Sequence, residues 1–90
     1  MLKSRTFSIP RRKWRGKLNG WAMSAIDTVD GEVEVAVLEP GTDWWQIVWR
    51  GSDRNMLGTM FRAIRSDISE GLCPLDFSYH WDGTQVERRA

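Results

Sequence analysis

The sequence predicts an α+β fold. It is read as one small domain with a mainly antiparallel sheet, a meander of hairpins, and one amphipathic helix at about 53–70 packed on one face. A C-terminal strand or hairpin follows. Three observations carry this. Apolar residues alternate on either side of a Pro-Gly turn, at Val33, Val35 and Val37 and again at Trp45, Ile47 and Trp49. A helical stripe runs from Met56 to Ile68, and a second alternation, Phe77, Tyr79 and Trp81, comes after it. Strands, a helix, then strands is the order of a sheet covered on one side by a single helix.

Each element has its own signal. Asn19-Gly20 marks a two-residue hairpin turn between a strand around 13–18 and the next one. Asp30-Gly31 marks another, so residues 21–29 read as the preceding strand. Trp21, Ala22, Ala25, Ile26 and Val29 also fit helical spacing, but the Asp-Gly turn and the acids where a helix would end favour the strand. The strand reading sets Asp27 directly across from Glu34, a like-charge pair that needs a cation nearby. In the next hairpin, Glu32, Glu34 and Ala36 alternate with the valines, and Glu39-Pro40-Gly41-Thr42-Asp43 forms the turn. The expected register pairs Val37 with Trp45, Val35 with Ile47 and Val33 with Trp49, all on the core face. The other face then pairs Glu32 with Arg50, Leu38 with Trp44 and Glu34 with Val48.

The helix stripe is Met56, Leu57, Met60, Phe61, Ile64 and Ile68. Ser52 or Asp53 caps its start, Gly71 sits at the C′ position, and Pro74 prevents continuation. Phe77, Tyr79 and Trp81 alternate with Asp76, Ser78, His80 and Asp82, and Asp82-Gly83 turns the chain back into 84–88.

Ninety residues make one domain, with 1–20 as a basic N-terminal arm or first strand and 21–90 as the α+β body. The composition, 41% apolar and 28% charged with six Trp, is that of a folded chain with a few large core anchors. A lone Cys forms no disulfide within the chain and fits a reducing, cytoplasmic setting. The longest apolar run, Val35-Ala36-Val37-Leu38, is far below the ~20 residues of a bilayer span, so no membrane association is expected. The N-terminus lacks the apolar stretch of a secretory signal. It shares Arg and Ser richness with organelle transit peptides, but Pro10, Gly16 and Gly20 break the amphipathic helix such a peptide needs.

Catalytic chemistry is poorly represented. Cys73 and His80 are the one nucleophile–base combination, with no third group aligned, and they fall short of a zinc ligand set. The acids from Asp27 to Glu32 lack calcium-loop spacing, and Gly16-Lys17-Leu18-Asn19-Gly20 lacks that of a phosphate-binding loop. The expectation is a protein that is not an enzyme, with no cofactor and no evident small-molecule substrate. Arg54, Arg62 and Arg65, with Asp67 and Glu70 nearby, read as the solvated side of the helix.

Charge is segregated along the chain. Residues 1–20 hold seven bases and no acid, 21–45 hold six acids and no base, and 46–90 hold six of each. Two binding readings follow. In the first, Trp44, Leu38, Val48 and Met23 form an exposed apolar patch beside Glu32 and Glu34, which meets a partner protein or a second copy of the chain. In the alternative, Arg11, Arg12, Lys13, Trp14, Arg15 and Lys17 bind nucleic acid, the bases meeting phosphates and the Trp stacking on an unpaired base. The same bases also serve to guard an edge strand, or to neutralise Asp27, Glu32 and Glu34.

Overall fold

The computed structural model describes residues 11–28 and 30–90, with 11–17 described by backbone alone. The expectations for residues 1–10 and for Val29 lie outside the described residues. The element order is β1 (Arg11–Leu18), β2 (Trp21–Asp27), β3 (Val33–Leu38), β4 (Gln46–Gly51), α1 (Leu57–Ser69), β5 (Ser78–Trp81) and β6 (Val86–Arg89). The first four strands form an antiparallel meander in the order β1-β2-β3-β4, and β5 and β6 form a separate two-stranded sheet. The α+β expectation holds, and residues 21–27 are strand, not helix.

The helix packs as its stripe requires. Leu57, Met60, Ile64 and Ile68 are buried against Met23, Ala25, Val33, Val35 and Val37 of the sheet. Phe61 is half-buried at the border of this core. The Asp53 side chain caps the 3-10 turn that leads into α1, accepting from the Asn55 amide at 2.9 Å. At the other end Gly71 has φ +86°. The Leu72 amide donates to the Asp67 carbonyl at 2.9 Å, and the Gly71 amide to that of Ile68 at 3.0 Å. That is a Schellman cap, and glycine is the residue that adopts its left-handed position without strain. The Asn19 side chain, in the tight β1–β2 turn, also donates to the Ile68 carbonyl at 3.0 Å, tying that hairpin to the helix end.

Two registers differ from expectation. Asp27 stands across from Val33, and Ile26 across from Glu34, so the acids are not directly opposed. The reason is the connection. The Thr28 amide donates to the Glu32 carbonyl at 2.9 Å, and the Thr28 hydroxyl is shared between that carbonyl and the Asp30 carboxylate. The loop therefore closes wider than a two-residue turn. The acids take different cations: Asp27 pairs with Arg54, and Glu34 with Arg50 at 3.0 Å. Arg54 is thereby engaged, not part of a free helix surface.

In the β3–β4 hairpin Val35 stands across from Trp49 and Val33 across from Gly51, while Ala36 meets Ile47 and Val37 meets Gln46. Val48 is the extra residue of a bulge between these two runs. The bulge replaces the uniform alternation expected for β4. Val48 and Trp49 both pack against the core, and Ile47 falls opposite Ala36.

Candidate functional site

The site begins with a residue that the helical pattern concealed. Asp67 was expected on the solvated side of α1, but it is 3% exposed. It lies three residues after Ile64 and seven after Met60, which places it on the stripe that faces inward. There its carboxylate accepts from the Tyr79 hydroxyl at 2.7 Å and from Arg88 Nε at 2.6 Å. The Arg88 guanidinium also lies 5.9 Å from the Tyr79 ring centre. Tyr79 comes from β5 and Arg88 from β6, so one helical carboxylate docks the whole C-terminal hairpin. Burial, and then the bond to Asp67, push the Tyr79 phenol well above its ordinary range. The same carboxylate raises Arg88.

The hairpin is closed by Asp82, whose carboxylate accepts from the amides of Thr84 and Gln85, each at 2.8 Å. Those bonds hold its carboxyl below the usual range. Phe77 meets Tyr79 edge to face, 6.2 Å between ring centres. The result is an aromatic wall standing beside β4.

Between that wall and β4 runs a groove of about 570 Å3. Ile47, Val48 and Trp49 line one side, and Leu75, Phe77 and Trp81 the other. Its polar groups are Gln46, Ser78 and His80, together with Arg50. Arg50 already lies 2.7 Å from Glu32 and 3.0 Å from Glu34. β4 is the outer strand of its sheet, and among the described residues no ladder joins it to β5. Trp81 remains 42% exposed at the rim.

The residues expected to form a protein-binding patch do not assemble as one surface. Trp44 is exposed as expected, at 53%, but it lies in the bend before β4 and is not paired with Leu38. Leu38 is half-buried at the end of β3. Met23 was expected on the outer face and is a core residue, 2% exposed. Val48 was expected there too, and the bulge turns it against the core. Glu32 and Glu34 converge on Arg50, with Glu34 buried. The outer face is also not bare at its centre, since Ser24 and Ala36 are buried on it.

Of the basic run, the backbone of Arg11, Arg12, Lys13, Trp14, Arg15 and Lys17 lies in β1, the other outer strand. The register sets Arg11 across from Asp27 and Arg15 across from Ser24. Their side chains lie outside the described residues.

Sequence reasoning missed Trp81, Phe77 and Leu75 as groove residues. The signal was available in part: Phe77, Tyr79 and Trp81 alternate just before the Asp82-Gly83 turn, and a short two-stranded hairpin has too few neighbours to bury all three. Cys73 is half-buried ahead of a short 3-10 turn, and His80 is exposed on β5. Among the described residues no three His, Cys, Asp or Glu side chains gather as metal ligands, and no helix is long and apolar enough to cross a membrane. The chain matches no protein-family model, no curated protein and no solved structure.

Proposed function

We propose that this is a small non-catalytic binding protein that acts through protein–protein contact, of the inhibitor or adaptor type, at the groove between β4 and β5. One observation carries the reading. An outer strand, paired with β3 on one side and with no ladder on its groove side among the described residues, faces an aromatic wall, and a large indole, Trp81, stands exposed at the rim. Aromatic anchors around a partly apolar cleft are what protein interfaces are enriched in. The class of function is the one the sequence led to, and the location is different. The single half-buried thiol of Cys73 is in keeping with a cytoplasmic setting.

The test is selection of random peptides displayed on phage against the whole chain, followed by affinity measurement on the Trp81→Ser variant. Trp81 is exposed, so the variant keeps the wild-type melting temperature. Loss of a hot-spot indole weakens binding about 30-fold or more, corresponding to ~2 kcal/mol. Selected peptides that all bind Trp81→Ser as tightly as wild type overturn the groove as the contact surface.

A further inference from the structure

We infer that the groove captures its partner by strand addition: an extended, uncharged segment with alternating apolar side chains pairs with β4 and lies under the β5 wall. This rests on the proposed contact surface and specifies its chemistry. Three features argue for it.

The first is the contrast between the two outer strands. β1 carries Arg11, Arg12, Lys13, Arg15 and Lys17, the charge density by which proteins protect a sheet edge from foreign strands. β4 carries only Arg50, and that guanidinium is held by Glu32 and Glu34. The edge with the lower charge is the one that opens into the groove. Its six residues present ~20 Å of main chain, long enough to pair with a short segment.

The second is charge. The groove's one full charge is already compensated, and the remaining polar groups, Gln46, Ser78 and His80, are hydrogen-bonding side chains. A strongly acidic segment finds no counter-ion here, because Arg50 already faces two carboxylates. The apolar side chains the groove offers are Ile47 and Trp49 on the strand side and Leu75, Phe77 and Trp81 on the wall, set in a lining that is polar for the larger part.

The third is the bulge at Val48. It twists and bends the edge, which disfavours pairing with the rigid edge of a second copy. A flexible segment can follow the bend. A single strand from another protein is thus the occupant these features favour over a dimer of the chain.

The experiment uses the phage-selected peptides whose binding depends on Trp81. Each is resynthesised with alternate backbone amides N-methylated, in the two possible phases, and amide hydrogen exchange of residues 46–51 is followed by NMR. Strand addition predicts selected sequences poor in proline and charge. It predicts that one phase of N-methylation weakens binding by about tenfold or more while the other leaves it nearly unchanged. It also predicts slowed exchange of those β4 amides that are not donated to β3. Equal tolerance of both phases with unchanged β4 exchange overturns strand addition but leaves the contact surface standing. So does convergence on proline-rich sequences without β4 protection. Indifference of all selected peptides to Trp81→Ser overturns the contact surface itself. A concentration-dependent dimer in sedimentation, with the same β4 amides protected, assigns the edge to a second copy and overturns the partner-segment proposal.

Discussion

Tyr79 is the one tyrosine of the chain, so its ionisation reads out directly as the phenolate absorbance near 295 nm. Burial and the bond to Asp67 raise its folded-state pKa above the unfolded value of about 10. For a group raised in the folded state, the stabilisation is complete below the unfolded pKa. It is lost as pH rises from there toward the folded value, because the unfolded chain then releases the proton first. The folded protein therefore shows no phenolate signal as pH passes about 10, the ordinary tyrosine value. The signal appears only with alkaline unfolding, monitored in parallel by tryptophan fluorescence. Tyr79→Phe removes this source of alkaline sensitivity while losing a hydrogen bond to a charged acceptor, a cost of about 1.5–3 kcal/mol near neutral pH. A phenolate transition near pH 10 without unfolding contradicts the buried Asp67–Tyr79–Arg88 arrangement. The network was not legible as a network. Asp67 sits at an inward helical position, but a lone acid on a helix is ordinarily solvated. Its partners lie on a hairpin whose docking the sequence does not place.

At the scale of elements, α1 was legible in its stripe and its C′ glycine, while the cap signal at Asp53 marked the 3-10 turn Arg54–Met56, so that α1 itself begins at Leu57 and not at about 53. Two substitutions test it. Gly71→Ala meets no neighbouring atom within 4 Å, so its cost is purely the left-handed backbone. That is about 1 kcal/mol, measured by denaturant midpoint at unchanged slope. Ile64→Ala, at a fully buried position, costs about 2–5 kcal/mol and exceeds the effect of Phe61→Ala, since Phe61 is only half-buried. An equal or reversed order shows that the helix is rotated about its axis. The sheet was legible in outline only. Alternation assigns strands to faces when the strand is regular, and β4 is not regular: the Val48 bulge breaks the parity on which the expected pairing depended. Likewise Asp30-Gly31 marked a turn correctly but not its width, because the Thr28 side chain decides where the ladder closes. Gly51 shows the consequence. This residue, not Trp49, stands across from Val33, and a Cβ there would come 2.6 Å from the Trp49 ring.

At the scale of the whole molecule, the charge layout is the feature most open to two readings, and topology weighs on it. The meander sets the basic strand β1 directly beside β2, with β3 next, the two strands drawn from the acidic stretch 21–45. Neighbouring strands lie ~4.8 Å apart, so β1 and β3 are separated by ~10 Å. That is within the screening length at ~50 mM salt, so an approaching phosphate feels Asp27 and Glu34 along with the bases, although these two acids also face Arg54 and Arg50. With a net charge of +1 for the chain, little long-range attraction remains. The expected result is no measurable binding of the wild-type chain to duplex or single-stranded oligonucleotides, even at ~50 mM salt. Charge reversal in β1, as Arg12→Glu with Arg15→Glu, then lowers the melting temperature instead of any affinity. A chain that instead released about four to six counter-ions from duplex DNA would give a log affinity falling with log salt at a slope of roughly −3.5 to −5.5. The same double reversal would flatten that slope and weaken binding to every sequence alike. That outcome would assign the partner to nucleic acid and the working surface to β1 in place of the β4–β5 groove.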